Sequence, residues 1–175
     1  MTRTRSTISL ASATAVLVTL VVAGCGSSGG SNPNGSSAPP KTANGQSATV
    51  GVANQKLGKI LVDSQGRTLY LFQRDSGTKS TCTGGCAVDW PPLRAPGMPT
   101  VGGGANASIV ATSARSDGKP QVTYNGHPLY RFSGDPGPND TNGQGVNAFG
   151  GLWYALSSSG NEITTSAGSA SGSGY

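Results

Sequence analysis

The chain has one histidine, three cysteines and, among its 7 acidic residues, a single glutamate, Glu162. That scarcity removes several classes of chemistry. Zinc and copper centres gather several His or Cys ligands, and a metal-protease helix needs a pair of histidines. No Walker loop occurs either, so the expectation is a protein that is not an enzyme and holds no cofactor. Charged residues make up only 11% of the chain, with no run of Lys or Arg interleaved with aromatics, which leaves nucleic-acid binding without support. No apolar pattern recurs every 3.6 residues over any length, so helix is not expected to dominate.

What is there begins at the N-terminus. Arg3 and Arg5 precede an uncharged, aliphatic-rich stretch from Ile8 to Ala23, the order of a secretory signal over residues 1–24. As a helix those residues would cover roughly 24 Å, short of the roughly 30 Å of a hydrocarbon core. The stretch ends Val22-Ala23-Gly24-Cys25, which looks like the lipobox of bacterial lipoproteins. The thiol of Cys25 would then take a diacylglyceryl group, making membrane lipid the first expected partner and the location extracytoplasmic and lipid-anchored. Two acyl chains, at about 0.8 kcal/mol per buried methylene, suffice for stable anchoring. Loss of the leader takes two of the 12 basic residues and none of the 7 acidic ones, leaving a mature charge of +3. Cys82 and Cys86 remain as an even pair in an oxidising compartment, for which a disulfide is the default.

Residues 25–47 are mostly Gly, Ser, Asn and Pro and bury too little to offset the entropy of ordering, so they read as a flexible tether of roughly 25 Å r.m.s. reach. Residues 159–175 read as a disordered tail. Between them, residues 48–158 form the expected domain, long enough for a small core. Its apolar runs are short and bounded by turn residues: Thr49–Ala53, Lys59–Asp63, Thr68–Gln73, Ser108–Thr112, Gln121–Tyr124, Pro128–Ser133 and Leu152–Leu156. These read as strands. Asp63-Ser64-Gln65-Gly66 and Asn125-Gly126 lie between consecutive runs, and the second pair suits the φ > 0 geometry of a two-residue hairpin.

Gly66-Arg67-Thr68-Leu69-Tyr70-Leu71-Phe72-Gln73-Arg74-Asp75 recurs sixty residues later as Gly126-His127-Pro128-Leu129-Tyr130-Arg131-Phe132-Ser133-Gly134-Asp135. Trp90-Pro91-Pro92-Leu93 has its counterpart in Trp153-Tyr154-Ala155-Leu156. Two copies, about 48–100 and 105–158, are too few for a solenoid; the expectation is an all-β sandwich or barrel-like domain in which like halves pair about a pseudo-twofold. On these residues the chain resembles the bacterial lipoproteins with a Tyr-x-(Phe/Trp/Tyr)-x-x-Asp motif, also described as a secreted repeat of unknown function. The resemblance spans nearly the whole expected domain and implies no activity that could be carried over residue by residue.

Side chains alternate along a strand, so Tyr70 and Phe72 share one face, as do Tyr130 and Phe132. Arg131 stands where the first copy has Leu71, which makes the Tyr/Phe face the expected core and the opposite face partly wet. Asp75 and Asp135 precede Ser76-Gly77 and Pro136-Gly137, where a carboxylate can accept turn N–H groups; the alternative is a pair of symmetry-related Tyr/Asp pockets for a ligand or cation. Cys82-Thr83-Gly84-Gly85-Cys86 reads as a loop staple. A redox role would require a cation or helix N-terminus beside a thiolate, and neither is evident in the neighbouring sequence. His127 reads as a local hydrogen-bonding residue, with metal or haem ligation as its alternative. Asp135, Asn139, Asp140 and Asn142 could offer oxygens to calcium, but without EF-hand spacing.

Three functions are therefore carried forward. The first is a non-enzymatic, membrane-anchored envelope lipoprotein that binds or supports an envelope partner. A redox or metal/haem accessory in extracytoplasmic electron transfer, working through Cys82 and Cys86 or His127, is the second. The third is a cell-wall carbohydrate-binding module using Trp90, Trp153 and Tyr154, although aromatics at matched repeat positions more often belong to a core.

Overall fold

The computed structural model describes residues 39–41 and 49–165. The expected leader, Cys25, most of the tether and residues 166–175 lie outside the described residues.

The domain is all-β. β1 (Val50–Gln55) pairs antiparallel with β2 (Gly58–Val62) and parallel with β4 (Val101–Gly102). β3 (Tyr70–Phe72), β8 (Asn147–Ala148) and β9 (Gly151–Ala155) form a second sheet in the order β3-β9-β8. β5 (Val110–Ser113), β6 (Gln121–Tyr124) and β7 (His127–Pro128) form a third. A short α-helix, α1 (Gly85–Asp89), sits in the cysteine loop, and a 3-10 turn, Ala107–Ile109, precedes β5. The expected sandwich or barrel takes the form of three small sheets joined by single bridges, among them Val62 to Thr68 and Tyr70 to Tyr130.

Each copy begins with the same hairpin: β1–β2 in the first, β5–β6 in the second. Asn125 (φ 49) and Gly126 (φ 80) make the expected left-handed turn between β6 and β7. In the first copy, Asp63 closes the matching turn. Its carbonyl accepts Gly66 N–H at 2.9 Å, and its carboxylate accepts the N–H groups of Gln65 and Arg67.

Where the strands depart from the sequence reading, the cause is a change of partner. The Pro128–Ser133 run keeps only His127–Pro128 in a ladder with β6. Tyr130 then bonds to Tyr70, Arg131 N–H to Pro91 O, and Ser133 N–H to Asp89 O. A run that serves three partners in turn cannot form one regular strand. The first copy does the equivalent with β9, pairing Tyr70 with Ala155 and Phe72 with Trp153. Each Tyr-x-Phe segment thus crosses to the stretch following the other copy's loop.

On the Leu71/Arg131 side, expected to be at least partly wet, Arg131 is half-buried while its leucine neighbours are packed. Leu69, Leu71 and Leu129 lie in an aliphatic cluster with Val50, Leu61, Val122 and Leu156. Tyr70, Phe72, Tyr130, Trp90 and Trp153 form an aromatic cluster on the other side. β3 is buried on both faces, as a strand between two cores must be, and only Arg131 escapes.

The ordered structure also runs past residue 158, where the sequence reading placed its edge. Ser157 N–H bonds to Asn161 O at 2.8 Å, and Ile163 N–H to Ala155 O at 2.9 Å. Ile163 packs beside Ile60 and Val62, an apolar anchor that holds the start of a tail otherwise made of small polar residues. Within the expected tether, Pro40 is buried and fills the space above Gly51, where an added Cβ would fall 2.0 Å from it.

Candidate functional site

Tyr70 and Tyr130 meet where the two copies meet. Their backbones exchange N–H···O bonds of 2.9 and 3.0 Å, and both side chains are fully buried. The tyrosine of one copy reaches the aspartate of the other: Tyr70 Oη donates to Asp135 Oδ2 at 2.6 Å, and Tyr130 Oη to Asp75 Oδ2 at 2.7 Å. These are short, charge-assisted bonds. The remaining oxygen of each carboxylate ties down its own loop, Asp75 Oδ1 accepting Thr81 N–H at 2.8 Å and Asp135 Oδ1 accepting Asn142 N–H at 2.8 Å. Each carboxylate thus holds its loop through an N–H group six or seven residues on. The second half of each aspartate's role, a bond to the opposite copy, has no signature in either motif taken alone.

The same exchange orders the rings. Phe72 stacks on Trp153 at 4.1 Å, Trp153 on Trp90 at 3.9 Å, and Trp90 on Phe132 at 4.3 Å. Tyr70 and Tyr130 close the sides edge-on, 5.5 Å from Trp90 and 5.1 Å from Trp153 respectively. Four parallel rings therefore run from one copy to the other and back. Such pairs add about 0.5–1.5 kcal/mol each beyond area burial. Gly143 lies so close over this stack that an added Cβ would meet Tyr70 at 2.8 Å and Trp90 at 2.9 Å.

Burial, and after it the Asp135 carboxylate, pushes the Tyr70 hydroxyl far above the ordinary phenol range. Tyr130 moves the same way, again chiefly through burial, against the opposing bond to Ser80. The carboxyls of Asp75 and Asp135 are themselves raised by burial, with hydrogen bonds pulling in the other direction. Both tyrosines are thus held as proton donors and shielded from solvent, a geometry that fastens two copies together.

The two centres differ at their edges. Beside Tyr130–Asp75 lies the buried guanidinium of Arg115, which donates to Gln121 Oε1 at 2.7 Å, to Cys82 O at 2.7 Å and to Ser80 Oγ. The first copy has Gln55 at the equivalent position, bonded to Gly66 O and to Thr68. Sequence reasoning missed Arg115 and found no cation near the cysteines, because the contact spans 33 residues.

Cys82 and Cys86 are disulfide-bonded, with Cα atoms 5.3 Å apart, and both sulfur-bearing side chains sit in the aromatic cluster. Trp90 and Trp153 are 1% and 0% exposed, and both rings belong to the aromatic cluster. Asp140 Oδ2 accepts Gly137 N–H at 2.9 Å, which is turn chemistry, and its carbonyl accepts the Thr68 hydroxyl at 2.6 Å, tying this loop to the first copy across 72 residues. His127 is half-buried in β7 opposite Tyr124. Among the described residues no three His, Cys, Asp or Glu side chains gather as a metal cluster; Asp140 lies in the loop capped by Asp135, near enough for its charge to help raise the Asp135 carboxyl.

Among the described residues, no helix is long and apolar enough to cross a membrane. Searches of curated proteins and of solved structures return no match. The family model described as a secreted repeat of unknown function matches residues 51–94 and 111–157, one match for each copy. A secreted family is in keeping with an extracytoplasmic location. The crossed pair of repeats built here around Tyr70, Tyr130, Trp90 and Trp153 belongs to the family of secreted repeats of unknown function.

Proposed function

We propose that this chain is a non-enzymatic lipoprotein of the bacterial envelope, acylated at Cys25, whose rigid domain binds or supports an envelope partner. One observation carries the reading: the motif residues Tyr70, Asp75, Tyr130 and Asp135 bond to one another across the two copies, which supports a role for them in holding the scaffold together. Function then belongs to surface features placed on the scaffold. Intact-mass analysis of protein purified from its own host's membranes tests the anchor, with a diacylglyceryl-modified Cys25 as the N-terminal residue expected. An unmodified chain recovered from the soluble fraction would overturn it.

A second reading, a redox accessory, draws on the disulfide's place against the aromatic cluster and near Arg115. Burial of Cys82 and Cys86, 1% and 5% exposed, works against it, since thiol exchange needs access. A reduction potential far below that of the compartment retires this reading; stoichiometric metal or haem in natively purified protein promotes it.

A further inference from the structure

A groove of roughly 570 Å³ lies beside the crossed centre, lined by three arginines, Arg67, Arg94 and Arg131, and one acid, Asp63. The arginines are not equivalent. Arg67 gives both Nε and Nη2 to Asp63 Oδ2, at 2.9 and 2.7 Å. Arg94 bonds to Asp117 at 2.7 Å and to Lys119 O at 2.9 Å. Arg131, the residue that replaces Leu71 of the first copy, has a buried Nε with no hydrogen-bond partner. Buried polar atoms are almost always paired, so this donor is an exception that points to a ligand. Burial, and after it the like charge of Arg67, holds the Arg131 guanidinium below its usual range, with Asp63 acting the other way; an anion in the groove would act in the same sense as Asp63.

Two further features say which anion. Thr49, where the chain enters β1, lines the same groove, and acyl chains on Cys25 would keep a bilayer within reach of the domain. Met98, also in the lining, is 81% exposed. An apolar side chain standing free beside guanidinium groups suits a membrane interface, where arginine meets phosphate and the apolar tip meets the acyl boundary.

We propose that the Arg67/Arg94/Arg131 groove docks on the phosphate of anionic phospholipid headgroups in the membrane that holds the chain, with Arg131 Nε donating to a phosphate oxygen and Met98 entering the interface. This deepens the lipoprotein reading and rests on it for the presence of the membrane. Docking would convert a domain on a leash into one held with a fixed face towards the bilayer.

The test uses residues 26–175 without the lipid, which retain every contact described above, with folding checked by near-ultraviolet circular dichroism of the stacked tryptophans. Co-sedimentation is measured with phosphatidylglycerol/phosphatidylcholine vesicles, with pure phosphatidylcholine vesicles, and in the presence of inorganic phosphate. Preferential binding to the anionic vesicles is expected, lost as salt rises and the Debye length shrinks. Arg131→Leu, which installs the first copy's residue, and Arg94→Ala should each weaken it about fivefold, and Lys79→Ala, outside the groove, should not. Equal binding to both vesicle types overturns the proposal. So does unchanged affinity in both arginine variants, or the same loss from Lys79→Ala. Displacement by millimolar inorganic phosphate assigns the groove to free phosphate and overturns the lipid source. Because the polypeptide here carries no acyl chain, an unmodified Cys25 in native protein would sink the anchor and leave this measurement standing.

Discussion

Replacing Tyr70 by phenylalanine removes a hydroxyl that donates to Asp135 of the other copy at 2.6 Å and leaves the ring in place. A hydrogen bond to a charged group contributes about 1.5–3 kcal/mol, and for a domain of this size each kcal/mol shifts the melting temperature by about 4 °C. Tyr70→Phe should therefore lower the midpoint by about 6–12 °C, and Tyr130→Phe similarly through Asp75. Single values do not say where the lost partner sits. Double-mutant cycles do. Tyr70→Phe with Asp135→Asn, and Tyr130→Phe with Asp75→Asn, should show coupling of about 1–2 kcal/mol, as bonded partners do. Tyr70→Phe with Asp75→Asn, five residues apart in the same motif, should be additive to within about 0.5 kcal/mol. Asp→Asn alone relieves the burial that raises these carboxyls while weakening their bonds, which is why the coupling is the diagnostic quantity. Urea unfolding followed by near-ultraviolet circular dichroism supplies all the free energies. Stronger coupling within a motif than between motifs would refute the crossed arrangement.

Tyr70 and Tyr130 have folded-state pKa values raised above the unfolded value of 10.0, so their contribution is intact below pH 10 and lost as pH rises beyond it. The slope should be about 1.4 kcal/mol per pH unit for each, visible as a falling urea midpoint between pH 10 and 12 and roughly halved by Tyr70→Phe. Replacing Cys82 and Cys86 together by serine opens a ring of about five residues, for which chain entropy gives a cost of about 2 kcal/mol; the variant should fold, and complete unfolding in calorimetry would show that the bridge does more than hold its loop. Arg115→Gln, which copies the first repeat's Gln55, strands Cys82 O and Gln121 and should cost about 1.5–3 kcal/mol. Thermal denaturation reads it, and an unchanged midpoint would mean that the buried guanidinium contributes no net stability.

The duplication was legible because side-chain identity repeats at a fixed offset, and the hairpin turns because Asn125-Gly126 and Gly66 announce φ > 0 geometry locally. Strand lengths were less so, since apolar alternation says that a residue pairs and not with whom. Pro128–Ser133 reads as one strand, yet its residues pair successively with β6, Tyr70 and the Pro91 segment. The aspartates' loop bonds follow from known turn chemistry, whereas Tyr70–Asp135 spans 65 residues and depends on which copy faces which. Arg115 gave no signal at all: it sits outside the repeated motif, and what makes it important is a carbonyl, a serine and a glutamine brought to it by folding. The order of the start of the tail rests on a single apolar residue, Ile163, in a run of small polar ones.

The crossing also explains where the two copies are free to differ. A repeat that lends its Tyr-x-Phe strand to its partner and borrows the partner's Trp segment in return cannot complete its own core, so neither half is expected to fold alone. At the axis, where each residue touches its own counterpart or its counterpart's neighbour, both copies keep Leu, Tyr, Phe, Asp and Trp. Away from it they diverge, with Leu71 against Arg131, Gln55 against Arg115, and the bridged Cys82–Cys86 loop against the Asp/Asn-rich one. Symmetric contacts favour like residues because each side chain packs against its own counterpart or that counterpart's neighbour, while a peripheral residue meets surroundings found in one copy only. Arg131 is the divergence that reaches an open groove, which makes it the place where a scaffold built from duplicates has acquired a side.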